Sequence, residues 1–342
     1  VTYFPIQRFL FIFLSVAAFA QTNSPGWMTA PLAGLVANPE LTEIRAIQGV
    51  PGASTVGRPI SLPPDVRRVH LAPAQGWALV EQTSGRTLGL MSFSGMLPGS
   101  VTAIDGVLSA PDSVSFSPSG RSAVIHSKAA AKLQVLTGLD TTPTVTMLSD
   151  TSSLGEVGAA AVSDDGTLAV ALTSDGRAFL LSSATAPQLI YQAGSPAGLS
   201  FLPDQTAIAI ADGGSASISV MDGLNRTPFT RIMMRGPNLS GGSLLVQASA
   251  DAQSLFVAAL GGTTIYRADF ADQTMRTLAV PAPLSRLERF RGGDSFLFSA
   301  NAGEAAWLLF SNGSNLAAAF AQPTEPREPK RPLPTTDPLR RR

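Results

Sequence analysis

The sequence predicts an all-β fold, a β-propeller of six or seven four-stranded antiparallel blades, on three observations. A turn motif recurs at a nearly constant interval, strand-length apolar runs lie between turn formers, and no segment sustains helical periodicity. Placing the first turn position at Pro73, Pro118, Asp164, Pro203, Ala250 and Arg291 gives intervals of 45, 46, 39, 47 and 41 residues. Four short strands and their turns need about 40–45 residues, the period of a propeller blade. Runs such as 168–172 and 207–210 are bounded by Gly, Pro, Asp and Asn, and none of the stretches between turns keeps an apolar residue every 3.6 positions for ten residues. Helical solenoids are thereby disfavoured.

The third repeat shows the elements of one blade. Strand a is expected over 157–162 and strand b over 168–172, joined by Ser163-Asp164-Asp165-Gly166. Ser174-Asp175-Gly176 then turns into strand c at 178–181, and strand d follows at 188–191. Asp-Gly suits these turns because Gly accepts positive φ and Asp bonds to nearby backbone amides. Near-continuous apolar strands with many Ala fit sheets covered on both faces by neighbouring blades, and a closed ring protects strand edges without disulfides. The segments 32–37 and 41–47 read as an outer hairpin within 32–49, either closing the ring or forming part of an extra blade. Seven blades, one built from terminal segments, are preferred over six with an added hairpin.

Composition agrees with many short strands. Of 342 residues, 44% are hydrophobic and only 14% charged, with 31 Gly and 26 Pro, which excludes both a disordered chain and a long-helix protein. The absence of Cys excludes disulfides, thiolate metal sites and cysteine nucleophiles. The formal net charge is zero, yet Arg8 and a basic tail leave the body mildly acidic. Such a body lacks the basic footprint that phosphate neutralisation requires, so no nucleic-acid partner is expected.

The chain ends read differently from the body. Arg8 precedes the apolar run 9–20, which closes on Ala18-Phe19-Ala20, the pattern of a signal peptide over 1–20. That run is shorter than the roughly 20 residues a transmembrane helix needs, and no later stretch qualifies, so the mature chain is expected to lack a membrane span. The propeller is assigned to 21–322. Over 323–342, Pro323, Pro326, Pro329 and Pro332 recur every three residues, which predicts an extended, disordered Pro/Arg-rich tail.

Phe116-Ser117-Pro118-Ser119-Gly120-Arg121 with the following Ala123-Val124-Ile125, and Val162-Ser163-Asp164-Asp165-Gly166, carry a family likeness. They resemble the repeats of bacterial exported WD40-like, TolB-like or YVTN-type propellers, whose run is similar to F-S-P-D-G-K/R before an apolar strand. The turn Gly is missing at Gln205 and around Ala252 and Gln253, and no blade closes on Trp-Asp. The resemblance implies the architecture; propellers of this kind include binding scaffolds, surface proteins and some lactonase-like enzymes, so the fold does not decide function.

Candidate chemistry is sparse. His70 and His126, the only histidines, sit in strand patterns, and no Gly-x-Ser-x-Gly elbow occurs, so no catalytic residue is assigned. Asp164, Asp165, Asp175, Asp204 and Asp212 lack calcium-loop spacing and already have turn-forming roles, so no metal ligand is assigned. Paired glycines form neither a P-loop nor a dinucleotide fingerprint, and no cofactor is expected. Propeller geometry points instead to the face built by the b-to-c and d-to-a loops, where Arg86, Lys132, Asp175, Arg177, Asp212 and Glu304 fall. Mixed charge there suits a protein or cell-envelope partner. The sequence thus points to an exported, non-catalytic propeller, located in the periplasm, outside the cell or on its surface. The alternative is a lactonase-like hydrolase with a polar axial site.

Overall fold

The computed structural model describes residues 31–324, apart from 39, 51, 184, 205, 238, 240–242, 292–293, 301–305 and 313–314. The expected signal peptide lies outside the described residues, as does the tail beyond 324. No described residue is helical. The strands form seven successive antiparallel meanders. Blade I holds β1 (Leu32–Ala37), β2 (Ile44–Val50) and β3 (Ala53–Ile60). Blade II holds β4 (Val66–Leu71), β5 (Trp77–Gln82), β6 (Leu88–Ser94) and β7 (Leu97–Ala103). Blade III holds β8 (Ser113–Phe116), β9 (Ala123–Ser127), β10 (Lys132–Thr137) and β11 (Thr144–Asp150). Blade IV holds β12 (Val157–Val162), β13 (Ala169–Thr173), β14 (Arg177–Leu181) and β15 (Gln188–Gln192). Blade V holds β16 (Ala197–Phe201), β17 (Ile208–Asp212), β18 (Ser217–Asp222) and β19 (Phe229–Arg235). Blade VI holds β20 (Leu244–Ala248), β21 (Ser254–Ala259), β22 (Thr264–Asp269) and β23 (Thr274–Ala279). Blade VII holds β24 (Glu288–Phe290), β25 (Ser295–Ala300), β26 (Ala306–Asn312) and β27 (Asn315–Pro323).

Burial explains why the meanders close into a ring. Strands β9, β13 and β17 are buried at every position, so each is covered on both faces. Among the described residues the apolar core falls into seven clusters, each joining two adjacent blades. One of them packs Val36, Ile47 and Val56 of blade I against Phe290, Leu297 and Leu308 of blade VII, which closes the circle. The outer rim is closed by chain ends: Gln322 and Pro323 pair in parallel with Thr55 and Val56. The backbone N–H and the hydroxyl of Thr324 both donate to the Val56 carbonyl. Pro323, counted with the tail on sequence grounds, therefore ends a strand.

Blade I differs from the expected outer hairpin. Its first strand, β1, is innermost, beside the first strands of the other six blades around the axis. Its second strand starts at Ile44 rather than 41 because the Asn38 carboxamide oxygen accepts from the backbone N–H groups of Thr42 and Glu43, extending the turn.

Candidate functional site

The innermost strands β1, β4, β8, β12, β16, β20 and β24 surround an axial cavity of about 500 Å3. Small residues such as Ala159–Ala161 and Gly198 let the strands approach the axis, and the lining mixes apolar side chains with His70, Gln75, Asp112, Gln247, Glu288 and Arg289. Burial pushes the His70 imidazole down to about 4, with Arg68 adding to the shift and Glu81 opposing it, so this histidine is neutral at pH 7. No group of three or more His, Asp or Glu side chains converges among the described residues.

At one end of the cavity, the a-to-b turns stitch neighbouring blades together. The Asp164 carboxylate of blade IV accepts from the Ser119 backbone and hydroxyl of blade III and from the Asp204 N–H of blade V, at 2.5–2.9 Å. Gln75 of blade II pairs with the Leu35 backbone of blade I at 2.7 and 2.8 Å, an amide mimicking a strand edge. Within the turns, Ser163 and Ser249 hydroxyls accept from the backbone at Leu168 and Ser254 and donate to Asp165 and Asp251. Burial pushes Asp165 up, but bonds from Ser163 and Thr167 outweigh it and hold the carboxyl below its ordinary range. These aspartates and serines hold backbone, as expected of turn residues.

The opposite end carries the b-to-c and d-to-a loops. Arg86 lies in the loop after β5, and its Nε donates to Glu81 at 3.0 Å. Lys132 opens β10 opposite Asp150. Asp175 and Arg177 pair at 2.8 Å, and Arg177 also reaches the Leu154 carbonyl at 2.9 Å. A hydrogen bond from Thr173, then the charge of Arg177, holds Asp175 below the usual carboxylate range. Asp212 is buried and accepts from the backbone N–H groups of Gly194 and Ser215 at 3.0 and 2.9 Å, so its oxygens brace two loops. Glu304 lies outside the described residues. The described members of the set sit at the b-to-c edges of their own blades, and none lines the axial cavity.

Sequence reading missed the residues that surround Arg86. Glu81 is fully buried, and three arginines meet its carboxylate: Arg67 and Arg86 at 3.0 Å and Arg68 at 3.9 Å. Pairing registers place His126, Leu172, Ala211 and Ala258 at the corresponding position of blades III to VI. A carboxylate in a column that is otherwise apolar except for His126 was the available signal, legible once the repeats are aligned.

No family model matches the chain, and no curated protein does. Solved structures do match. A protein of unknown function from Desulfotomaculum acetoxidans DSM 771 aligns with a TM-score of 0.57 and 16% identity, over 85% of this chain and 99% of that one. Kluyveromyces lactis Hsv2 aligns at 0.50 and 11%, over 86% and 98%. The WD40 domain of Toxoplasma gondii coronin gives 0.48 and 11%, over 87% and 86%. With seven meanders, seven inter-blade cores and an axial cavity bordered by the first strand of each, the chain folds as a β-propeller.

Proposed function

We propose that this chain is an exported, non-catalytic propeller whose b-to-c and d-to-a loop face binds a protein partner in the cell envelope. One observation carries the reading: the loop face presents exposed charged pairs and a cluster of exposed arginines, whereas at the a-to-b turns the exposed pair Arg121–Asp204 stands beside Ser119, Asp164 and Gln75, which hold adjacent blades. On the loop face, Arg177 with Asp175 and Lys128 with Glu156 remain substantially exposed, as do the arginines around Glu81. Exposed guanidinium and carboxylate groups on loops held by a rigid scaffold suit selective recognition.

The test is photo-crosslinking in the source cells. A benzophenone amino acid replaces Ser84 in the b-to-c loop of blade II, or Ser119 in an a-to-b turn. Adducts with a defined protein are expected from position 84 and not from 119. Adducts from 119 alone, or lactone hydrolysis by the purified chain with no adduct, would overturn the reading.

A further inference from the structure

We propose that the arginine cluster of blade II receives an acidic segment of a protein partner, an inference that rests on the loop-face reading above. In a regular strand, consecutive side chains point to opposite faces. Here Arg67 and Arg68 both reach Glu81, because the β4–β5 register shifts between Val66 and Arg68. A bulge of this kind re-aims a side chain. Arg86 completes the group from the next loop, with its backbone anchored: its carbonyl accepts from Ala110 N–H, and Thr87 and Asp65 carbonyls hold Gln82 and Thr83.

Charge arithmetic favours an anionic visitor. A fully buried carboxylate needs compensation, and one well-placed guanidinium supplies it. Three are present, which leaves two positive charges in excess on side chains that are 42%, 40% and 49% exposed. The nearby Asp65 carboxylate, which accepts from the neutral Gln82 amide at 2.8 Å, keeps its charge and lowers that excess to one. Each guanidinium has five N–H donors, and its planar fork matches a carboxylate bidentately. Donors therefore remain on groups already held in place, so less ordering is needed on binding. The rest of the face argues for a peptide over a continuous anionic surface. Elsewhere on the loop face Glu156 and Asp175 are paired with Lys128 and Arg177, and Asp112 adds a further carboxylate, so there is no extended positive surface for a lipid bilayer or a nucleic-acid backbone. A few carboxylates on a flexible segment need only the blade II patch.

The experiment measures fluorescence anisotropy of fluorescein-labelled hexaglutamate with the full chain, at low and at physiological salt. Parent protein is expected to bind, with affinity falling as salt rises. Arg67→Gln combined with Arg86→Gln should weaken binding about tenfold or more. Arg231→Gln, on the outer strand of blade V, should change nothing. Arg68→Gln leaves both short contacts to Glu81 intact and should weaken binding about threefold, which keeps the test valid if the double variant melts early. Equal affinity for Arg68→Gln and parent, no binding by the parent, or tighter binding to phosphatidylserine vesicles than to hexaglutamate would overturn the proposal. If hexaglutamate fails while position 84 still crosslinks, this inference fails alone; crosslinks from 119 only would remove the reading beneath it.

Discussion

Blades II and IV have the same strand order and turn length, yet differ at three corresponding positions. Where blade IV has Ala161 facing the axis, Gly166 in the a-to-b turn and Leu172 in strand b, blade II has His70, Gln75 and Glu81. Blade IV shows one apolar solution: a small residue near the axis, a residue free to take positive φ, and an apolar side chain between sheets. Gln247, Arg289 and His126 show that other blades also depart from it in part. Blade II departs at all three, and each departure brings a polar group that needs partners. Gln75 finds them in blade I, and Glu81 finds them in three arginines. A repeat protein thus supplies its own reference, and local breaks in the pattern point to roles beyond folding.

The turn position gives the largest expected effect. Gly166 has φ +69°, and an added Cβ would fall 2.0 Å from the Thr137 methyl of the neighbouring blade. Gly166→Val combines left-handed strain with overpacking and should cost about 3 kcal/mol or more, read as a lowered denaturation midpoint. The axial position follows. Because the folded His70 pKa lies near 4, below the ordinary 6.5, the unfolded chain binds more protons between those values. The stability from a neutral His70 is complete above about pH 6.5 and is lost as pH falls toward 4, a change of about 3 kcal/mol. His126, lowered mainly by burial, adds a contribution of the same sign. Carboxyls held low, such as Asp165 and Asp175, act only at more acidic pH. Urea midpoints between pH 7 and 4 should fall steeply for the parent and less for His70→Gln.

Smaller effects sharpen the contrast between the blades. Gln75 occupies the left-handed position at φ 57°, yet its amide serves two buried backbone groups of Leu35. Gln75→Ala should cost about 2 kcal/mol, and Gln75→Gly should also destabilise, although it removes the strain. Ala252 occupies the same position in blade VI at φ 58° without such bonds. Ala252→Gly should therefore raise stability by up to about 1 kcal/mol, measured as a higher melting temperature. Opposite signs at one turn position would separate a working departure from a tolerated one.

Most of the architecture was legible because its signals are local. The turn motif marked the first strands of blades II to VII, and the third repeat gave β12 at its observed bounds. Ring closure was less legible, since Thr324 and Val56 meet across 268 residues. For the candidate face, the described residues fall at the b-to-c edges of their blades, but the partners of their charges were hidden. Asp212 looked available, whereas Gly194, eighteen residues earlier, occupies one of its oxygens. Arg67 and Arg68 looked like ordinary strand residues because their convergence depends on a register shift that periodicity does not encode. Glu81 was the visible irregularity, and only the alignment of blades gives it meaning.

Equilibrium unfolding of Glu81→Leu, which installs the blade IV residue in blade II, tests most directly whether this departure serves recognition and not folding. The three arginines are exposed enough to rehydrate, and an apolar side chain suits the site, so the variant should match the parent or exceed it by about 1 kcal/mol. A loss of about 3 kcal/mol or more would show that the buried carboxylate holds the blade together, and would contradict the account.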